Sequence, residues 1–313
     1  MDRFADGEVS VQLHDNIRGK DVYIIQPCAA PVNDSIMELL LAVSCARRSG
    51  ARRVIAIVPY FGYKHHRRNS PISTTYSSRY LSSHAMDFAK MLTEMGVDRV
   101  ISSDLQRPGQ GKEACFFDNN VPLETLLTTE FLADSLVSLV DMKKDQALVV
   151  VAPNAESYKK AKLMRDQLRK QGYSNVRLTA YFSTDTTSGP IDTNQLELLG
   201  NLDFKDTTVI FVDDIVDTAG TLYTLAHRVK TAGAAAVYAC ASHGLFAEGA
   251  MELIDSCPLD KVIVTNTLPP PRYVSSKVAY VSVAPLLSTL VLAEHYRSTS
   301  AYDSEEFELD QEM

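Results

Sequence analysis

The chain has no excess of positive charge, no CxxC pair and no apolar run longer than a strand, and each absence removes a class of function. Its formal net charge is -8 at pH 7. Nucleic-acid affinity is supplied mostly by clustered Lys and Arg, so a nucleic-acid binder is not expected. A small phosphate stays open as a ligand, because a few backbone amides outweigh global charge locally. The five cysteines, Cys28, Cys45, Cys115, Cys240 and Cys257, are odd in number and scattered. That fits reduced thiols in a cytosolic protein better than a disulfide framework or a zinc site. No segment approaches the roughly 18 apolar residues of a membrane span, and the amino terminus has no basic stretch followed by an apolar core. The expectation is a cytoplasmic protein that meets neither nucleic acid nor membrane.

What is present is ordinary for a globular protein: 45% hydrophobic residues, 22% charged, in a chain of 313 residues. At about 100 to 200 residues per domain this suggests two domains. Short apolar runs rich in β-branched residues alternate with amphipathic stretches, the pattern of parallel sheets with crossover helices. Strands are predicted over Asp21–Gln26, Arg53–Pro59 and Arg99–Ser103, with helices over Ser35–Arg48 and His84–Met95. A second series follows at Ala147–Ala152, Val176–Phe182, Thr208–Val212, Ala236–Ser242, Lys261–Thr265 and Val278–Val281, with helices over Glu156–Gln171 and Thr221–Ala232. Two tandem α/β units result, expected at 1–135 and 136–313. Asn69–Ser83, Thr184–Asn194 and the acidic end Arg297–Met313 read as solvated loops.

The most informative stretch is Thr208-Val-Ile-Phe-Val-Asp-Asp-Ile-Val-Asp-Thr-Ala-Gly-Thr221. An apolar strand runs into acidic residues, then small ones, then a helix. A turn of Asp217, Thr218, Ala219, Gly220 and Thr221 can aim successive N–H groups at a phosphate monoester, with the helix dipole behind them. Asp213 and Asp214, at the strand end, are placed to accept from ribose hydroxyls or to help hold hydrated Mg²⁺. Thr218 or Thr221 alone would read as a helix cap.

The whole string resembles the signature of type I phosphoribosyltransferases and their relatives. Phe4-Ala-Asp-Gly-Glu8, Asn16–Gln26, Asn33–Leu40 and Val58-Pro-Tyr-Phe-Gly-Tyr63 are similar to the amino-terminal domain of the ribose-phosphate diphosphokinase (PRPP synthetase) family. Ser242-His-Gly-Leu-Phe246 and Val264-Thr-Asn-Thr-Leu-Pro269 resemble later segments of the same family, in family order. The resemblance starts at what corresponds to the family's second strand. It implies two type I phosphoribosyltransferase-like domains, each a mostly parallel sheet flanked by helices. It further implies ATP and ribose 5-phosphate as substrates, Mg²⁺ as cofactor, and a homo-oligomer or a hetero-oligomer with other PRPP synthetase subunits. Residue by residue it implies Phe4, Asp6 and Glu8 at the adenine end of ATP, with His65 and His66 near its phosphates. Asp104 falls near the metal, and Asp213, Asp214, Asp217, Thr218, Ala219, Gly220 and Thr221 fall on ribose 5-phosphate.

Several positions depart from the family pattern. Its Asp-Leu-His appears as Asp104-Leu-Gln106, and an amide neither shares a proton nor binds a metal as histidine does. Its Arg-Gln pair is replaced by His65 and His66, between Lys64 and Arg67, and histidine lacks the fork that grips phosphate with two bonds. The pyrophosphate-facing loop is Ala152-Pro-Asn-Ala-Glu-Ser157, with Asn154 for a carboxylate and Glu156 and Ser157 for glycines. The mobile catalytic loop corresponds to Ser183–Thr187 and has no cation. These changes open two alternatives: a non-catalytic regulatory subunit that assembles with an active PRPP synthetase, and a phosphoribosyltransferase or PRPP-binding regulator.

Overall fold

The computed structural model describes residues 1–64, 84–105, 117, 121–183 and 196–309. His65, His66, Gln106, the Asn69–Ser83 segment and Thr184–Thr187 lie outside them.

The chain opens with a small hairpin, β1 (Asp2–Arg3) against β2 (Val9–Ser10). A four-stranded sheet follows, built from β3 (Asp21–Ile25), β4 (Arg53–Val58), β5 (Arg99–Ser103) and β6 (Leu123–Leu126) in the order β3-β4-β5-β6, all parallel. Its crossovers are α1 (Val32–Arg48) and α2 (His84–Glu94). Val54 to Val58 are all buried, which is why β4 is an unbroken apolar run rather than an alternating one. Leu39 and Val43 of α1, Phe88 and Leu92 of α2, and Phe61 close one core over this sheet. Ile215 and Leu268 from the second half of the chain complete that same core.

The second sheet contains β7 (Leu148–Ala152), β8 (Val176–Ser183), β9 (Leu196–Leu198), β10 (Thr208–Val216), β11 (Ala236–Gly244), β12 (Lys261–Thr265) and β13 (Val278–Val281). Its order is β13-β12-β11-β10-β7-β8-β9, and only β9 runs antiparallel to its neighbour. The two sheets bear out the expected α/β architecture of mostly parallel sheets flanked by helices.

The period-2 geometry of strands divides the second sheet's side chains between two cores. Val149 and Val151 of β7 and Val209 and Phe211 of β10 face α5 (Gly220–Thr231) and α6 (Ala250–Ser256). Leu148, Val150, Ile210 and Val212 face α3 (Thr129–Leu139) and α4 (Tyr158–Lys170). The chain winds outward on one side of β7 and β10 through β8 and β9, and on the other through β11 to β13. The crevice beyond the carboxyl ends of β7 and β10 is therefore the switch point where open α/β sheets bind ligands.

Ser282–Met313 forms a second unit, in which α7 runs Ala284–Leu309. The expected loop from Arg297 is thus corrected to helix as far as Leu309. That stretch has neither Pro nor Gly, and the helix formers Ala301, Glu305, Glu306 and Glu308 outweigh its polarity. Among the described residues no helix is long and apolar enough to cross a membrane. The described cysteines, Cys28, Cys45, Cys240 and Cys257, are free thiols, and burial pushes Cys28 and Cys240 up to about 12.

Candidate functional site

Strand β10 delivers Asp213 and Asp214 to the crevice, half-buried, and ends in the turn Asp217–Gly220. Ala219 holds a left-handed conformation, φ 61 and ψ 0. A non-glycine residue costs about 1 to 2 kcal/mol there, a cost seen mostly where function fixes the backbone. Helix α5 starts at Gly220 with no side-chain cap and no acidic residue in its first turn. Its first N–H groups and the positive end of its dipole are left for an incoming anion. Thr218 Oγ1 sits 3.4 Å from the Gly220 N–H. The turn is braced from behind, since Leu245 and Phe246 donate to Val216 O and Ala247 to Asp217 O. Asp213, Asp214, Asp217, Thr218, Ala219, Gly220 and Thr221 thus share one strand end and one turn.

The loop after β7 borders the same crevice. Ser157 Oγ donates to Asp213 Oδ1 at 2.5 Å, and Asn154 Nδ2 to Asp213 Oδ2 at 3.4 Å. Asn154 Oδ1 accepts from the Ser157 N–H at 2.9 Å, closing the loop on itself. An aspartate at 154 would face Asp213 with like charge, whereas the amide presents a donor. Ser157 is buried and hydrogen-bonded, while Glu156 is exposed.

Asp104 lies at the end of β5 with its side chain 2% exposed. Its Oδ1 receives Lys160 Nζ at 2.8 Å, and its Oδ2 receives Thr128 Oγ1 at 2.6 Å and the hydroxyl of Ser242. Burial pushes this carboxyl up, but the Lys160 charge and the hydrogen bonds from Lys160, Ser242 and Thr128 prevail and hold it down at about 2. Both oxygens face protein donors, so the geometry gives the residue expected beside the metal an ion pair linking β5 to α4 and β11. Among the described residues, no three His, Cys, Asp or Glu side chains converge as a metal cage.

Lys160 went unnoticed in the sequence, yet a signal existed. Lys159 and Lys160 occupy the first turn of α4, where the dipole disfavours cations. A lysine there needs a partner, and Asp104 is it.

His243, beside Ser242 on β11, is fully buried. Its Nδ1 lies 2.7 Å from Thr267 Oγ1, and Nε2 has no hydrogen-bond partner among the described residues. Burial first, and the charge of Lys64 and Lys160, drive its pKa well below the usual value, against the pull of Asp104 and Asp214. Folding therefore excludes a proton that the unfolded imidazole takes up below about pH 6.5. Stability falls as pH drops below that point, by up to about 1.4 kcal/mol per pH unit from this residue. Urea unfolding from pH 7.5 to 5 is expected to show a slope shallower by about one proton in His243→Gln. Equal slopes would mean that the imidazole titrates normally.

Phe4, Asp6 and Glu8 sit on the hairpin. Phe4 is 59% exposed, which rules out its being a strand core residue. The Phe4 N–H donates to Glu8 O, and the Glu8 N–H to Asp6 Oδ1. Arg3 ties the hairpin to Asp34 and Glu38 of α1.

Residues 1–96 match the N-terminal domain of ribose phosphate pyrophosphokinase, and residues 190–303 match the phosphoribosyl synthetase-associated domain. A ribose-phosphate pyrophosphokinase of Synechocystis sp. is 34% identical over 299 residues, covering 95% of this chain and 82% of that protein. One from Aquifex aeolicus is 35% identical over 289 residues, covering 92% and 85%. The crystal structure of phosphoribosylpyrophosphate synthetase from Mycobacterium smegmatis superposes with a TM-score of 0.78 at 27% identity, over 95% of this chain and 89% of that one. Fold and turn define a phosphoribosyltransferase-like α/β protein. The chain belongs to the ribose-phosphate pyrophosphokinase (PRPP synthetase) family.

Proposed function

We propose that the chain binds ribose 5-phosphate on the turn after β10, with Mg-ATP beside it. It moves a diphosphoryl group from ATP to the ribose 1-hydroxyl, giving PRPP and AMP. The observation that carries this reading is the turn itself. A left-handed Ala219 and an uncapped α5 leave main-chain amides open at the switch point, next to the carboxylates that follow β10. The phosphate monoester takes the amides of Thr218 to Thr221, and the aspartates accept from the ribose hydroxyls.

Such a transfer needs little covalent participation from protein and depends on positioning and charge neutralisation. Asp213 and Asp214 would help hold hydrated Mg²⁺, which would supply neutralisation of the polyphosphate charge. The residues suit this ion, which takes one or two carboxylates and completes its shell with substrate phosphates and water. Phe4, Asp6, Glu8, His65 and His66 belong to the ATP end. An exposed Phe4 fits a site completed by a neighbouring subunit, in a homo- or hetero-oligomer. The cytoplasm is the location this reading implies.

A second reading rests on the loop after β7, where Asn154 and Ser157 stand in place of a carboxylate and a glycine. In it the chain keeps the fold and ligand sites but serves as a regulatory subunit for an active relative. AMP release from ATP, with and without ribose 5-phosphate, separates the two. The first reading expects AMP only when ribose 5-phosphate is present, at a rate about 100- to 1,000-fold below a relative with the full cationic set. No AMP from the chain alone, but a changed rate when that relative is added, selects the second. Calorimetry that finds neither ribose 5-phosphate nor PRPP bound would overturn both.

A further inference from the structure

We infer that Pro270-Pro271-Arg272-Tyr273 is a docking segment for a protein domain whose aromatic groove reads a polyproline helix, a domain of the WW kind. The segment belongs to the crossover between β12 and β13. Parallel strands are usually joined through a helix, and the second sheet does this with α4, α5 and α6. Between β12 and β13 it does not, and the run Leu268-Pro-Pro-Pro-Arg-Tyr273 stands there instead.

The conformation of that run follows from its prolines. Each ring fixes φ at about −65°, and a residue that precedes proline is pushed to extended backbone. Leu268, Pro269 and Pro270 all precede proline, so sterics alone steer Pro269–Pro271 into polyproline II. Residues 269–274 make no main-chain hydrogen bond among the described residues, which leaves their carbonyls for a partner's donors. Both ends of the run are held. Leu268 is 6% exposed and packs into the core of the first sheet. Ser275 is 1% exposed and donates to Asp255 Oδ1 at 2.6 Å. Lys277 Nζ donates to the carbonyls of Ile254, Asp255 and Cys257 at the end of α6. Between these anchors Pro269, Pro270, Arg272 and Tyr273 are exposed. Tyr273 keeps 54% of its surface in solvent while its hydroxyl donates to Asp255 Oδ2 at 2.6 Å, so the ring is pinned in an open position.

A segment so pinned has little conformational entropy left to lose on binding. An aromatic groove takes the ring faces of paired prolines, and the spacing Pro-Pro-x-Tyr sets one aromatic anchor beside them. The run contains no Pro-x-x-Pro, the spacing that an SH3 groove reads. A rigid spacer between two strands would need the prolines, but not an exposed tyrosine tethered just after them.

The test titrates the intact chain, by calorimetry, with a WW domain that binds free Pro-Pro-x-Tyr peptides. Binding is expected with a Kd on the order of 10 to 100 μM, as for a small interface. Tyr273→Ala and Pro270→Ala should each weaken it at least about tenfold, and Arg272→Ala by less than about threefold. Tyr273→Ala also loses the Asp255 bond, so a melting curve accompanies each titration. Pro270→Ala removes no such bond and separates lost recognition from a lost tether. No binding to the intact chain would overturn the inference. So would binding that survives both Tyr273→Ala and Pro270→Ala, or binding of an SH3 domain in place of the WW domain.

Discussion

Lys160→Met is expected to lower the stability of the chain by about 3 to 5 kcal/mol, the cost of stripping a buried carboxylate of its countercharge. Asp104 keeps its two hydroxyl donors in that variant, Thr128 and Ser242, but a hydroxyl does not replace an ammonium. The reverse change, Asp104→Asn, is expected to cost only about 1 to 2 kcal/mol. The asymmetry follows from exposure: the Asp104 side chain is 2% exposed and cannot reach water, whereas Lys160 is 19% exposed and can swing its ammonium outward. The double variant Asp104→Asn, Lys160→Met removes both charges and should recover most of the Lys160→Met loss. Urea unfolding of the four proteins forms a double-mutant cycle. A Lys160→Met protein within about 1 kcal/mol of wild type would show that the pair contributes little.

That network illustrates what a sequence conveys and what it withholds. The parallel strands were legible because each is a short β-branched run between turn signals, and β3, β4, β5, β12 and β13 lie within a residue of their predicted bounds. The hairpin strands have two residues each and β9 three, too few for any period to register. Helix α3 was hidden for a different reason: it straddles the boundary expected between residues 135 and 136, where no element was assigned.

In the candidate site, the passage from strand to turn to helix after β10 was legible, because it lies in one contiguous string. The contacts that hold the site were not. Ser157 and Asp213 are 56 positions apart, and Ser242 and Asp104 are 138 apart. Ser157 was legible only as a glycine lost; its hydrogen bond depends on β7 pairing with β10. A side chain that looks obstructive beside a family pattern becomes a strut once the fold supplies its acceptor.

The same turn permits a substitution that separates ligand from fold. Gly220→Val is expected to leave stability within about 1 kcal/mol of wild type, since Gly is the poorest ordinary helix residue and replacing it offsets the crowding of a branched side chain. Gly220 has no left-handed conformation to preserve, and a Cβ placed there meets only Thr218 Oγ1, at 3.6 Å. A side chain beside that hydroxyl stands where a phosphate would approach the first amides of α5. Losing even one or two charge-assisted bonds to those amides costs about 3 kcal/mol, so ribose 5-phosphate affinity should fall at least about 100-fold. Calorimetry with ribose 5-phosphate, alongside a melting curve of the same preparation, reads both quantities. A variant that melts like wild type and still binds ribose 5-phosphate with wild-type affinity would move the phosphate off this turn. It would leave the family assignment untouched, because that rests on the whole chain rather than on Gly220.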